Sequence, residues 1–193
     1  MKIYLLDINK DMTDHWKNEF NKYPEIEIIN DTLESFLNSN PGYYGIVSPA
    51  NSFGLMDGGY DKAIIDYFGK NIEESVQNYI KSNYCGCQPV GSCFTLSFDK
   101  CALLHTPTMR TPEKIVDSRV IFDCMLSCLN DAKRNNIDSV IIPAFGGCTG
   151  EVSTKAIAKY MSFAYHVFKS NFSMEWGIAL YIKHRLYEIR EIS

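Results

Sequence analysis

The chain contains no apolar run approaching the ~18 residues that a membrane-spanning helix requires. Its N-terminus, Met1-Lys2-Ile3-Tyr4-Leu5-Leu6-Asp7, meets an acid too soon for a secretory signal. No repeat, low-complexity tract or long linker divides the 193 residues, so one domain, 1–193, is expected. Basic residues form no stripe and the formal net charge is −4, which argues against duplex nucleic acid as a generic partner. The seven cysteines are odd in number and form no CxxC pair, and Cys85-Gly86-Cys87 is too tight for ordinary zinc chelation. These absences lead us to expect a cytoplasmic, monomeric protein without membrane association, metal or cofactor, its thiols reduced and acting mainly as small apolar residues.

What is present is a globular composition, 46% hydrophobic, arranged in alternating strand and helix patterns. Strands are expected at Ile3–Asp7, Glu25–Asn30, Tyr44–Val47, Ser139–Ile142 and Trp176–Lys183. A strand pair is expected over Pro89–Ser97 and Ala102–Thr106. Helices are expected over Asn9–Phe20, 59–68, 71–82, Asp117–Asn135 and 153–169, with Asn9 or Asp11 and Ser153 as caps. Thr32–Asn38 suits one or two helical turns. This alternation calls for a mostly parallel sheet covered by helices on both faces.

Two glycine-rich loops stand out. Ser48-Pro49-Ala50-Asn51-Ser52-Phe53-Gly54-Leu55-Met56-Asp57-Gly58-Gly59-Tyr60 joins a strand to a helix, and so does Pro143-Ala144-Phe145-Gly146-Gly147-Cys148-Thr149-Gly150. In such folds ligands sit beyond the carboxyl ends of the strands. Glycines there let successive N–H groups turn inward around an anion, and the following helix adds partial positive charge. Two such loops side by side could hold a diphosphate without any Lys. Four or five hydrogen bonds to a charged group, at about 1.5–3 kcal/mol each, would cover the roughly 8 kcal/mol of a micromolar ligand. Strand-to-helix turns also use glycine for packing alone, so either loop by itself is weak evidence. Asn51 can donate to and accept from sugar hydroxyls, and it is equally a good turn former.

The run Ser48–Asp61, followed in order by Pro107-Thr108-Met109-Arg110 and Pro143–Gly150, resembles the macro domain family over about residues 25–183. The resemblance implies a three-layer α/β/α sandwich with a mixed, mostly parallel central sheet, to which residues 1–20 add a strand and a helix. It implies binding of ADP-ribose or a close derivative. By resemblance, Asp31 accepts from the adenine amino group and Asn51 holds the distal ribose. Gly58 and Gly59 lie near that ribose and the diphosphate, and Gly146, Gly147, Cys148, Thr149 and Gly150 form the second cradle. Tyr181 or Phe145 is the candidate aromatic beside the adenine or ribose, with a core position the alternative for Tyr181. In a hydrolase branch of the Appr-1-p processing type, an Asp after the glycines positions or activates the attacking water. Asp61 fits that slot, with Asn51 beside it in the catalytic loop. The implied activity is hydrolysis of an ADP-ribosyl linkage to protein, nucleic acid or a small acyl or phosphate group; the alternative is a non-catalytic reader.

Simpler roles stand beside these. Asp31 could cap a turn or helix, Asp61 could serve its own helix dipole, and Asp57 could cap the helix after it. Cys148, at a helix start, could be a lowered-pKa thiol, with His105 the only plausible partner. Ser48-Pro49 departs from the family's usual Asn-Ala, and Glu151 follows the second loop where it could face the pocket. Asp7, in Ile3-Tyr4-Leu5-Leu6-Asp7-Ile8-Asn9, looks like a strand-end acid that grips ribose in dinucleotide- or methyl-donor-binding Rossmann folds. Those folds need a Gly-rich turn some 20 residues earlier, and none precedes it.

Overall fold

A computed structural model describes residues 1–172 and 175–192. The strands are β1 (Lys2–Leu6), β2 (Ile26–Ile29), β3 (Tyr44–Ser48), β4 (Phe94–Ser97), β5 (Cys101–His105) and β6 (Ser139–Ile142). The helices are α1 (Lys10–Glu19), α2 (Leu33–Ser39), α3 (Gly59–Phe68), α4 (Asn71–Tyr84), α5 (Val120–Arg134), α6 (Thr154–Ser170) and α7 (Trp176–Ile192). The strands form one sheet in the order β2-β1-β6-β3-β5-β4. All pairings are parallel except the β4–β5 hairpin.

Period-two alternation along buried strands sends side chains to both faces. Ile3, Leu5, Val47, Leu104, Val140 and Ile142 pack under α1, α5 and α6. Tyr4, Leu6, Ile46, Leu103 and Ile141 pack with residues of α2, α3 and α4. The result is the expected three-layer α/β/α sandwich. Asn9 caps α1 by accepting from the N–H groups of Asp11 and Met12, and Ser153 caps α6 by accepting from Ala156. Thr32 caps α2 through Ser35.

The last segment corrects the sequence reading. Trp176–Lys183 is not a strand but the first half of α7. Ile178, Ile182, Leu186 and Ile189 form its inward stripe, at helical spacing, and pack with the α6-side core. Half of that stripe lies beyond residue 183, so the shorter window shows only an ambiguous apolar run. The place beside β6 belongs to β1, which lies inside the sheet between β2 and β6. Among the described residues, no helix is long and apolar enough to cross a membrane.

Candidate functional site

β3 and β6 are parallel neighbours, with Gly45 opposite Val140 and Ile46 opposite Ile141. The two glycine loops therefore leave the same edge of the sheet from adjacent strands. Residues 106–110, after β5, join them there. The Thr106 N–H donates to the Ser48 carbonyl, Thr108 to Ala50, and Ser52 to Met109.

Asn51 organises the first loop. It is 8% exposed; its Nδ2 donates to the Leu55 carbonyl at 2.8 Å, and its Oδ1 accepts from Phe53 and Leu55 N–H. Its carboxamide thus folds the loop. α4 holds the far side, with Glu73 accepting from the Met56 N–H at 2.9 Å and Gln77 donating to the Gly54 carbonyl.

Beyond Met56 the pattern changes. Among the described residues, the backbone N–H groups of Asp57, Gly58, Gly59, Tyr60 and Asp61 have no partner in the protein. The same holds for Gly146, Gly147, Cys148, Thr149 and Gly150. Gly58 is the N-cap of α3 and has no side chain to cap it. The expectation that Asp57 caps α3 is thereby corrected: no side chain caps this helix, and Asp57 is exposed. A Cβ on Gly58 or Gly59 would meet nothing within 4 Å, so space lies open above this helix start.

The second loop is packed more tightly. Ile115 lies against it, donating its N–H to the Gly150 carbonyl at 3.0 Å. A Cβ on Gly150 would fall 2.6 Å from the Gly146 carbonyl oxygen and 2.6 Å from Ile115 Cδ1. Gly150→Ala should therefore destabilise the protein by about 1–3 kcal/mol in denaturant unfolding. Glu151 does not face the pocket: it is exposed and pairs with Lys114 at 3.0 Å.

Asp61 lies in the first turn of α3, where it is 8% exposed, and its carboxylate accepts from Ser48 Oγ at 2.7 Å. Burial pushes its pKa up to about 7, with Asp57 and Glu73 adding to the rise and the Ser48 hydroxyl opposing it. Asp61 is thus a buried carboxyl in the first turn of α3, poised to exchange a proton near neutrality. Neighbouring Tyr60 has a buried hydroxyl with no hydrogen-bond partner.

The remaining expected residues fall in different places. Asp31, beyond edge strand β2 and just before the α2 cap Thr32, accepts from the Thr32 N–H at 2.8 Å and Ser35 Oγ at 2.7 Å. Phe145 is fully buried in the core and cannot flank a sugar. Tyr181 lies on α7 with its ring 6.1 Å from that of Phe163, so its expected place at a strand end beside the base is corrected. Cys148 is exposed, and His105 is buried with Nδ1 2.6 Å from Gln88 Oε1. Burial lowers the His105 pKa to about 3, leaving it neutral and unsuited to activating a thiol. Sequence reasoning missed Ser48 as the partner of Asp61, although its place at the end of a buried strand was a usable signal. Among the described residues, no group of three His, Cys, Asp or Glu is placed to hold a metal.

The macro domain family model matches residues 47–161, more than half of the chain. An uncharacterized protein of Aeropyrum pernix is 29% identical over 122 residues, which are 62% of this chain and 61% of that protein. This chain therefore spans about three fifths of that relative's length. The Oceanobacillus iheyensis macrodomain with ADP matches at a TM-score of 0.55 and 19% identity, over 66% of this chain and 70% of that one. Other solved forms of that macrodomain carry Asn→Ala, Gly→Val and Asp→Ala substitutions, the glycine seven and the aspartate ten residues after the asparagine. Thermosipho africanus DarTG in complex with ADP-ribose matches at a TM-score of 0.54 and 15% identity, over 86% of this chain and 50% of that one. On the matched segment, together with the mixed sheet and its paired strand-end loops, the chain belongs to the macro domain family.

Proposed function

We propose that the protein binds ADP-ribose across the two glycine loops and hydrolyses an ADP-ribosyl linkage. The observation that carries this reading is the set of unengaged backbone N–H groups at 57–61 and 146–150, on loops that leave adjacent parallel strands. Such converging amides at strand ends suit an anion, and two loops suit a diphosphate. Asn51, Gly58 and Asp61 also stand at the same spacings as the three residues substituted in the Oceanobacillus protein.

In this reading Gly58, Gly59 and the second loop hold the diphosphate, while Asn51 keeps the first loop in shape beside the distal ribose. Asp61 orients a water toward the anomeric carbon of that ribose. It takes a proton from the water as the new C–O bond forms, then returns it to the leaving group as the old bond breaks. The products are ADP-ribose and the unmodified acceptor. No cofactor enters this scheme. We take the protein to act as a monomer in the cytoplasm and not on duplex nucleic acid; the free thiols fit a reducing compartment, and the missing basic stripe fits the last point.

One observation favours a second reading, a reader without turnover: Asp61 already accepts from Ser48 and is 8% exposed. Single-turnover assays on an ADP-ribosylated protein separate the two. Release of ADP-ribose that depends on Asp61 supports the hydrolase. Tight binding without release from any conjugate supports the reader.

The pH profile adds a check. Turnover should rise with pH up to about 7 and then level, because the ionised Asp61 is the active form. Ser48→Ala removes a hydrogen bond that favours the carboxylate, so the same limb should move to higher pH.

A further inference from the structure

Asp7 ends β1, whose neighbours are β6 on one side and β2 on the other. Along this edge of the sheet the order is therefore the first glycine loop after β3, the second after β6, then Asp7, then Asp31. Neighbouring strands are about 4.8 Å apart. A nucleoside diphosphate held by the two loops and running toward β2 would place its ribose one strand beyond the cradle and its base two strands beyond. Asp7 stands at the ribose step.

The local structure presents this carboxylate for use. Asp7 Oδ1 accepts from the Asn9 N–H at 2.8 Å, and the N–H groups of Ile8 and Ala144 face the same carboxylate. Ala144 belongs to the second glycine loop, so the acid lies beside the cradle. Asn30 Nδ2 donates to the Asp7 and Ile8 carbonyls at 2.9 and 3.0 Å, clamping the ends of β1 and β2 together. Asp7 remains partly exposed, and Ile8 beside it is 72% exposed. The buried, unpartnered hydroxyl of Tyr60 lies within electrostatic reach of both Asp7 and Asp61.

We infer that Asp7 reads the 2′- and 3′-hydroxyls of the adenine-side ribose and so selects a ribonucleoside diphosphate with a free diol. This rests on the reading that the two loops hold a diphosphate. A carboxylate is suited to the task because it only accepts hydrogen bonds, two of which a vicinal diol supplies. It also repels a 2′-phosphate. In dinucleotide-binding folds a strand-end acid does this beside a glycine loop of the same βαβ unit. Here the loop is supplied by β6, far along the chain, which the strand order brings alongside.

The test is titration calorimetry of the full chain with ADP and 2′-deoxy-ADP, on wild type and Asp7→Asn, with ADP-ribose as a reference ligand. Asparagine keeps an acceptor for the Asn9 N–H, and a matching thermal transition confirms that the variant is folded. Wild type should bind ADP about tenfold tighter than 2′-deoxy-ADP, and Asp7→Asn should bind the two within about twofold. Equal binding of both ligands by wild type overturns the role of Asp7 while leaving the cradle intact, as does an undiminished preference in Asp7→Asn. Failure of wild type to bind either ADP or ADP-ribose overturns the diphosphate reading itself.

Discussion

Gly58→Asp should make the protein slightly more stable and nearly abolish its binding of ADP-ribose. Gly58 is the N-cap of α3, its backbone is extended (φ −142°, ψ 162°), and a side chain there would enter open space. Aspartate is among the best N-cap residues, and a negative charge favours a helix start, so unfolding stability should rise by about 0.3–1 kcal/mol. The same carboxylate would engage the free amides of the first turn and set a negative charge beside the diphosphate. At a separation of about 5 Å and an effective dielectric near 20, that repulsion is worth roughly 3 kcal/mol, or more than a hundredfold in affinity. Chemical denaturation and calorimetry on one preparation measure both effects. A variant that is more stable yet binds as well as wild type would remove the α3 terminus from the site.

Asp61→Asn should leave ADP-ribose affinity within about threefold of wild type and slow single-turnover release by roughly 10²–10⁴-fold, the usual weight of a positioned general base. Asparagine keeps the acceptor for Ser48 Oγ, so the loop geometry should persist. The variant also has a signature in stability. The Asp61 pKa is about 7 in the folded chain against an ordinary value of 3.8, so between those values the folded state holds the extra proton. The Asp61 contribution to stability should therefore fall as pH rises from about 4 to about 7 and then flatten, against an opposing rise from buried, neutral His105 over about pH 3 to 6.5. Asp61→Asn should lose that component, seen as the difference between the two proteins' unfolding free energies across the same pH range. A variant that turns over as fast as wild type would remove Asp61 from the chemistry, whereas tight binding by wild type with no release would leave the reader role.

Much of this arrangement was legible in the sequence, and the exceptions share a physical cause. The alternation of apolar runs and caps such as Asn9 and Ser153 located most elements, because local periodicity and local hydrogen bonds produce them. The glycine loops were legible for the same reason: strand, glycines and helix are consecutive. What sequence could not supply was strand order. Nothing local places β1 beside β6, so Asp7, lacking a glycine turn before it, looked unsuited to a ribose. Phe145 and Tyr181 were misread because an aromatic's exposure depends on what packs over it from elsewhere. The two hydrogen bonds that Asp31 accepts, from Thr32 and Ser35, are local ones that the Asn30-Asp31-Thr32 run signals on its own, and they leave acceptor capacity on the carboxylate.

A single diphosphate should be received by the unengaged amides of both loops, and amide proton and nitrogen shifts followed through a titration with ADP-ribose would show it. Saturable shifts are expected on residues 57–61 and 146–150, with the same midpoint at both loops. Shifts confined to one loop, or centred instead on the groove between α4 and β4 lined by Tyr79, Asn83 and Phe98, would contradict it.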